Sequence, residues 1–307
     1  MPRTNPLGAF DIDWNARPET VVADITARAT RLETPCGDGT MVWHRWDGPI
    51  DGPTDKPPTV LLHGGWGSWT HWIKTVPLLA TERTVYAADM PGMGDAADAP
   101  EPHGAEGIST IVADGINEIL PDGTPYHAVG FSFGGVMGTW AAARHGKRCV
   151  GLTLVGAAGF LDLHFIVEGI RVPELTLPDA DIDAIHTENL KRLMLVDHNL
   201  IDPLALHTHR QNIARGRVRT RRISLSNALV EALPRVVSPM GGIWGALDAT
   251  GGGVADIEKR RDILRELDPD APFDIVEGAG HWIMYEAPEL FVETLSRHLA
   301  FQESRAR

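Results

Sequence analysis

Two cysteines, Cys36 and Cys149, are all that 307 residues contain. That scarcity excludes a disulfide scaffold and a four-cysteine zinc site. No uninterrupted apolar stretch reaches the ~18 residues of a membrane-spanning helix. Basic charge is short as well: 28 lysines and arginines face 41 aspartates and glutamates, a net of −13. Non-specific binding to nucleic acid or to an anionic membrane needs the opposite field, so neither is expected as a partner. Met1 to Trp14 carry Pro2, Asp11 and Asp13 and no apolar core run, so no secretory signal is expected and the expected location is the cytoplasm. No period of about 20–50 residues recurs, which excludes a repeat array.

What is present is a chain that is 43% hydrophobic and long enough for one large domain, or for a core with an insertion. At this length about three quarters of the unfolded surface is buried, and no metal is needed to hold the fold. The 32 glycines and 22 prolines fall between periodic segments rather than in one tract. Pro18 to Ala29 fits a short helix. Arg31 to Pro35 and Met41 to Trp46 read as strands around the Gly-Asp-Gly turn at 37–39. A Pro/Gly/Asp linker, Gly48 to Pro58, follows. Six short apolar runs come next: Thr59–Leu62, Thr84–Ala88, Tyr126–Gly130, Val150–Val155, Gly242–Trp244 and Phe273–Val276. Helical patterns near His71–Ala80, Ile108–Leu120, Gly134–His145, Ala255–Leu267 and Pro288–His298 separate them. Short apolar runs alternating with amphipathic helices predict crossover units and a parallel sheet covered on both faces.

The alternation breaks once. Between Gly159 and Arg235 the text is helical, as in Asp183–Val196 and Asp202–Gly216, and contains no strand-like run. It is expected to be an insertion lying over the C-terminal edge of the sheet, where open α/β sheets place their sites. The expected organisation is therefore a core of residues 1–158 and 236–307, with 1–28 as an N-terminal extension, and a helical cap of 159–235.

Gly130-Phe131-Ser132-Phe133-Gly134 follows a predicted strand and precedes a predicted helix, and it fits the G-x-S-x-G pattern. A sharp strand-to-helix turn strains the serine backbone and exposes its hydroxyl, while the flanking glycines relieve crowding. The plain alternative is a serine in a glycine-rich turn. A serine hydroxyl attacks poorly unless a base takes its proton. Of 13 histidines, His281 follows the last predicted strand in Gly278-Ala279-Gly280-His281-Trp282, a loop free to carry an imidazole over the serine. His63 also ends a strand and reads as structural; His186, His198, His207 and His209 belong to the insertion. The imidazole needs a carboxylate to fix its tautomer, and Asp248 lies beyond the penultimate strand.

The order Ser132, Asp248, His281 is the order of α/β-hydrolases, and the chain resembles that superfamily over roughly residues 30–300. The resemblance rests on His63-Gly64-Gly65-Trp66, Asp89-Met90-Pro91-Gly92-Met93-Gly94, Gly130–Gly134, Asp248 and Gly280-His281. It implies a mostly parallel eight-stranded α/β sheet flanked by helices, with a helical cap. It implies Ser132, Asp248 and His281 as a catalytic triad. It also implies an oxyanion hole from the backbone N–H of Phe133 and of Gly65, with Trp66 as the neighbouring alternative, and a structural role for Asp89. No cofactor and no metal are called for.

Trp66, Trp69 and Trp72 recur every three residues, a spacing that fits core packing as well as a substrate platform. Trp66 is the one expected to line a pocket, and Trp282 is a second candidate. Six arginines crowd positions 210–222; most read as a solvated face, and Arg210, inside the apolar-periodic segment Leu204–Ile213, is the candidate to hold a substrate anion. The favoured activity is hydrolysis of small apolar or aromatic carboxylic esters. A second activity, suggested by Gly280-His281-Trp282 and Arg210, is carbon–carbon bond hydrolysis of the meta-cleavage kind. Phe131 and Gly65-Trp66-Gly67-Ser68 depart from the patterns usual there. Ser132 disfavours dehalogenase and epoxide hydrolase chemistry, which use an aspartate. A cofactor-free haloperoxidase-like activity would use the same triad, and a non-catalytic small-molecule receptor is the reading of another class. The partner is expected to be a small molecule, and nothing in the sequence fixes an oligomeric state.

Overall fold

Strand alternation explains the core. In β3 (Thr59–Leu62), Val60 and Leu62 point to one face, where they pack with Tyr86, Ala88, Ala128, Leu152 and Leu154. Leu61 points to the other, with Val85, Ala87, Val129, Phe131, Val155 and Ile243. Every residue of β3, β4 (Val85–Asp89), β5 (Tyr126–Phe131) and β7 (Met240–Gly245) is buried. That is why these strands read as continuous apolar runs: both faces are covered by helices.

The computed structural model describes residues 10–48, 55–101, 103–163, 166–174 and 176–306. With β1 (Thr30–Cys36), β2 (Gly39–Trp46), β6 (Cys149–Val155) and β8 (Phe273–Val276), the strands form one eight-stranded sheet in the order β1-β2-β4-β3-β5-β6-β7-β8. β2 runs antiparallel to its neighbours β1 and β4, and the remaining pairs are parallel. The β1–β2 pairing closes at Cys36 and Gly39, leaving a two-residue turn in which Gly37 takes a φ of +57°. The eight predicted strands are these eight. Residues 1–9 of the expected extension and 49–54 of the linker lie outside the described residues; Pro18–Ala27 is helical.

The segment His71–Ala80, expected as one helix, is two pieces: a 3-10 turn at Trp69–Trp72, capped by the Ser68 hydroxyl, and a short helix at Val76–Leu79. Pro77 has no N–H to continue a helix from the preceding turn and its ring crowds the carbonyl four residues back, so the helix restarts there. Between β6 and β7 the described residues hold helices and no strand. The main pieces are Asp179–Asn189, which loosens into a wider π turn at Leu190–Met194, and Pro203–Ala214. Aspartates 179 and 181 in the first turn explain why the former starts earlier than the apolar pattern predicts: acidic groups favour a helix N-terminus. Among the described residues no helix is long and apolar enough to cross a membrane.

Candidate active site

Ser132 is the single residue between β5 and the helix Phe133–His145, and its backbone sits at φ 51°, ψ −114°. A side-chain-bearing residue there costs on the order of 1–3 kcal/mol and persists only if its surroundings impose it. They do. Ser132 donates its N–H to the Val155 carbonyl at 2.9 Å, and its own carbonyl accepts from Gly135 and Ala158 at 3.0 and 3.1 Å. A Cβ on Gly134 would lie 2.2 Å from the Leu62 carbonyl oxygen, and one on Gly130 2.3 Å from that of Gly134. The turn is tight enough to admit only glycine on both sides, which is the physical content of the G-x-S-x-G pattern.

Asp248, three residues past β7, is buried, and its Oδ2 accepts from His281 Nδ1 at 2.8 Å. Its Oδ1 accepts from both the N–H and the hydroxyl of Thr250, each at 2.8 Å. Burial opposes ionisation of this carboxyl, but the imidazole and Thr250 together outweigh it and hold its pKa below the ordinary value. His281 stands on the loop after β8, where Gly278 takes a φ of +72°. Gly280 N–H donates to Glu286 Oε2 at 2.6 Å, and Trp282 N–H to the Met194 carbonyl at 2.8 Å, so the loop is tied to the insertion. With Nδ1 committed to Asp248, Nε2 is the nitrogen left for chemistry.

Ser132 and His281 open onto one cavity of about 230 Å³. Gly64, Gly65 and Trp66 form one wall, Ile170, Val172, Leu193, Met194 and Leu225 of the insertion much of the rest, with Thr220, Arg221, Ser224 and Thr250 as polar points. A Cβ on Gly65 would meet Thr220 Oγ1 at 2.5 Å, so insertion and loop are in close contact there. Trp66 is strained at φ 51° and donates its indole N–H to the Val218 carbonyl at 3.2 Å. Phe133 opens its helix, so its N–H is one of those that helix geometry leaves without an intrahelical partner. His63 and Asp89 brace the loops: His63 Nε2 accepts from Met90 N–H at 3.0 Å, and Asp89 from the N–H groups of Trp69 and Asp95 at 2.8 and 2.9 Å.

Two expected substrate contacts fall elsewhere. Arg210 does not line the cavity. Its guanidinium reaches Asp183 at 2.7 Å and Asp179 across the two long helices of the insertion. Carboxylates in the first two turns of the facing helix engage the cation, and their hydrogen bonds raise its pKa. Trp282 is buried beneath the cavity, donating its indole N–H to the His71 carbonyl at 2.8 Å and stacking on Tyr285 at 4.3 Å. An indole has one polar atom, and here a backbone carbonyl satisfies it in the interior. Trp66 does line the cavity; Trp69 and Trp72 are core. The sequence reading missed Arg221 and His71 as wall residues. The first lay within an arginine cluster and the second within a tryptophan cluster, and neither spacing distinguishes it from its neighbours.

Residues 59–294 match the model of a family described as the alpha/beta hydrolase family. A pimeloyl-[acyl-carrier protein] methyl ester esterase from Aeromonas hydrophila is 34% identical over 103 residues, 33% of this chain and 38% of that one. The first curated relatives are matched over only 27% and 38% of their length. A monoacylglycerol lipase (abhd6-B) from Xenopus laevis is 24% identical over 273 residues, 82% of this chain and 78% of that one. Among solved structures, a meta-cleavage product hydrolase from Pseudomonas fluorescens IP01 superposes with a TM-score of 0.66 at 21% identity, covering 89% of this chain and 98% of its own. At that identity the likeness is one of fold.

Proposed function

The chain belongs to the α/β-hydrolase family, and from that premise we propose that it hydrolyses small carboxylic esters with apolar or aromatic groups through an acyl-enzyme on Ser132. The observation that carries the reading is the junction of a strained Ser132 with the Asp248–His281 pair on one cavity. Ser132 Oγ attacks the ester carbonyl carbon while His281 Nε2 takes its proton. The tetrahedral oxyanion is met by the N–H groups of Phe133 and Gly65, with the Trp66 N–H the alternative second donor. Its collapse breaks the carbon–oxygen bond, and the imidazolium returns the proton to the departing alcohol. Water then attacks the acyl carbon, His281 takes one of its protons and passes it to Ser132 Oγ, and the carboxylic acid leaves. Asp248 holds the imidazole and stabilises its charged form throughout. No step calls for a metal or cofactor.

The largely apolar wall supports small apolar acyl or alcohol groups. Carbon–carbon hydrolysis, the second reading, loses Arg210 as its anion grip, since Asp179 and Asp183 engage it. Arg221 keeps that reading alive as the cation on the cavity. Turnover of an aryl ester, an aliphatic ester and a vinylogous diketo acid by the purified protein ranks the two readings. Absence of any turnover would favour a receptor. Ser132→Ala is expected to lower kcat/KM for a short p-nitrophenyl ester by ~10³-fold or more with the fold intact; activity within a few-fold of the parent would remove Ser132 from the mechanism.

A further inference from the structure

Among the polar groups on the cavity wall that the ester mechanism leaves unused, His71 is the most enclosed. His71 is 4% exposed and lines the cavity. Its Nδ1 accepts the N–H of Gly64 at 3.2 Å, and a Cβ on Gly67 would lie 2.4 Å from the Nδ1 and Cε1 edge. That edge is therefore turned to the oxyanion loop and filled. An Nδ1 that accepts carries no proton, so the neutral ring bears its proton on Nε2. Nε2 makes no hydrogen bond to any described residue, yet it is absent from the enclosed, partnerless side-chain atoms, among which are Nε2 of His44, His145 and His209. It therefore meets open space, and the space that His71 borders is the cavity. The ring is wedged edge-on against Phe131, Trp282 and His63, with centroids 5.4, 5.5 and 6.1 Å away, so it has no room to turn its donor elsewhere. Burial, with His63, His209 and His281 nearby, drives its pKa well below the ordinary value, so the donor stays neutral across the working range of pH.

We propose that His71 determines substrate specificity: its Nε2–H donates to an oxygen acceptor on the substrate other than the scissile carbonyl. The esters that fit best then carry a second oxygen function, such as an ether, keto or hydroxyl oxygen, on the part that passes the Gly64–His71 wall. A fixed donor in a mostly apolar cavity discriminates by what it loses, because an all-carbon substrate strips water from the N–H and returns nothing. This rests on Ser132 being the nucleophile.

The test uses pairs of p-nitrophenyl and alkyl esters in which one methylene is replaced by an ether oxygen. The replacement is moved stepwise along the acyl chain and then along the alcohol chain. Each kcat/KM is divided by the alkaline hydrolysis rate of the same ester, which removes intrinsic reactivity. At one position the parent protein should prefer the oxygen ester by roughly tenfold or more, chiefly through KM. His71→Asn places its amide near Nδ1, keeping an acceptor for Gly64 but not reaching the Nε2 position, and should abolish the preference. His71→Gln reaches that position and should restore part of it. No preference at any position in the parent overturns the proposal without any variant. So does a preference that survives His71→Asn. Retained activity in Ser132→Ala is a different failure, that of the nucleophile assignment, and is read on the all-carbon esters alone.

Discussion

At the scale of single residues, the candidate triad was legible because each member stands at a strand end and carries chemistry its neighbours lack. Ser132 lies between glycines that the turn makes obligatory, and Asp248 and His281 follow β7 and β8 on loops at the same edge of the sheet. Arg210 and Trp282 were misplaced for a common reason. Periodicity around Arg210, and the place of Trp282 directly after His281, show where a side chain leaves the backbone, not which partner meets it. Arg210 met aspartates 27 and 31 positions back, and the Trp282 indole met a backbone carbonyl 211 positions away. Asp248 gives a sharp residue-level expectation. In Asp248→Asn the side chain keeps an oxygen for Thr250, but its amide N–H₂ would face the His281 Nδ1–H. The ring must then shift its proton to Nε2, where the base is needed. Turnover should fall on the order of 10³–10⁴-fold with little loss of stability, measured as kcat on a p-nitrophenyl ester beside a urea unfolding curve. A loss below tenfold would mean that Asp248 does not orient the base.

At the scale of elements, strands and long helices followed their periodicity, whereas joints between elements were invisible. The loop carrying Gly65 is bound to the insertion at three places. Asn212 Oδ1, on the helix Pro203–Ala214, accepts from the hydroxyls of Ser68 at 2.7 Å and Thr70 at 3.2 Å. The Trp66 indole bonds the Val218 carbonyl, and Thr220 seals against Gly65. No spacing rule links position 68 to 212, since three strands of the sheet lie in the chain between them. The insertion therefore supports the shape of the loop that supplies a candidate oxyanion donor. Asn212→Leu keeps the volume and removes the acceptor from two buried hydroxyls, so unfolding should become easier by about 1–3 kcal/mol. Ester kcat should drop with it, because the loop then loses one of its three ties to the insertion. Parental kcat at reduced stability would show that Asn212 serves the fold alone.

At the scale of the whole molecule, composition announced a large core but not what is buried in it. A count of 13 histidines says nothing of where they lie. In the fold His63, His71, His127, His145, His209 and His298 all have lowered pKa values, with burial the largest cause in each. His209 is pushed down to about 3 by burial and by His186, whose ring lies 5.3 Å away, and its Nε2 has no hydrogen-bond partner among the described residues. The unfolded chain takes up a proton on each such group near the ordinary value of 6.5, while the native state does so only at lower pH, about 4 for His145 and about 3 for His209. Between those limits the unfolded state binds more protons, so native stability is whole above about 6.5 and drains away as pH falls. One such histidine contributes a slope of about 1.4 kcal/mol per pH unit. Acid sensitivity should therefore begin near neutrality, before the carboxylates titrate. His209→Phe keeps an aromatic ring against His186 and removes one titrating site. Its unfolding free energy, followed by urea titration from pH 7 to 5, should fall less steeply than the parent's, by a difference that grows to about 1.4 kcal/mol per pH unit towards pH 5. Parallel lines would show that His209 takes its proton in the native state as readily as in the unfolded one, which its enclosed, partnerless Nε2 forbids.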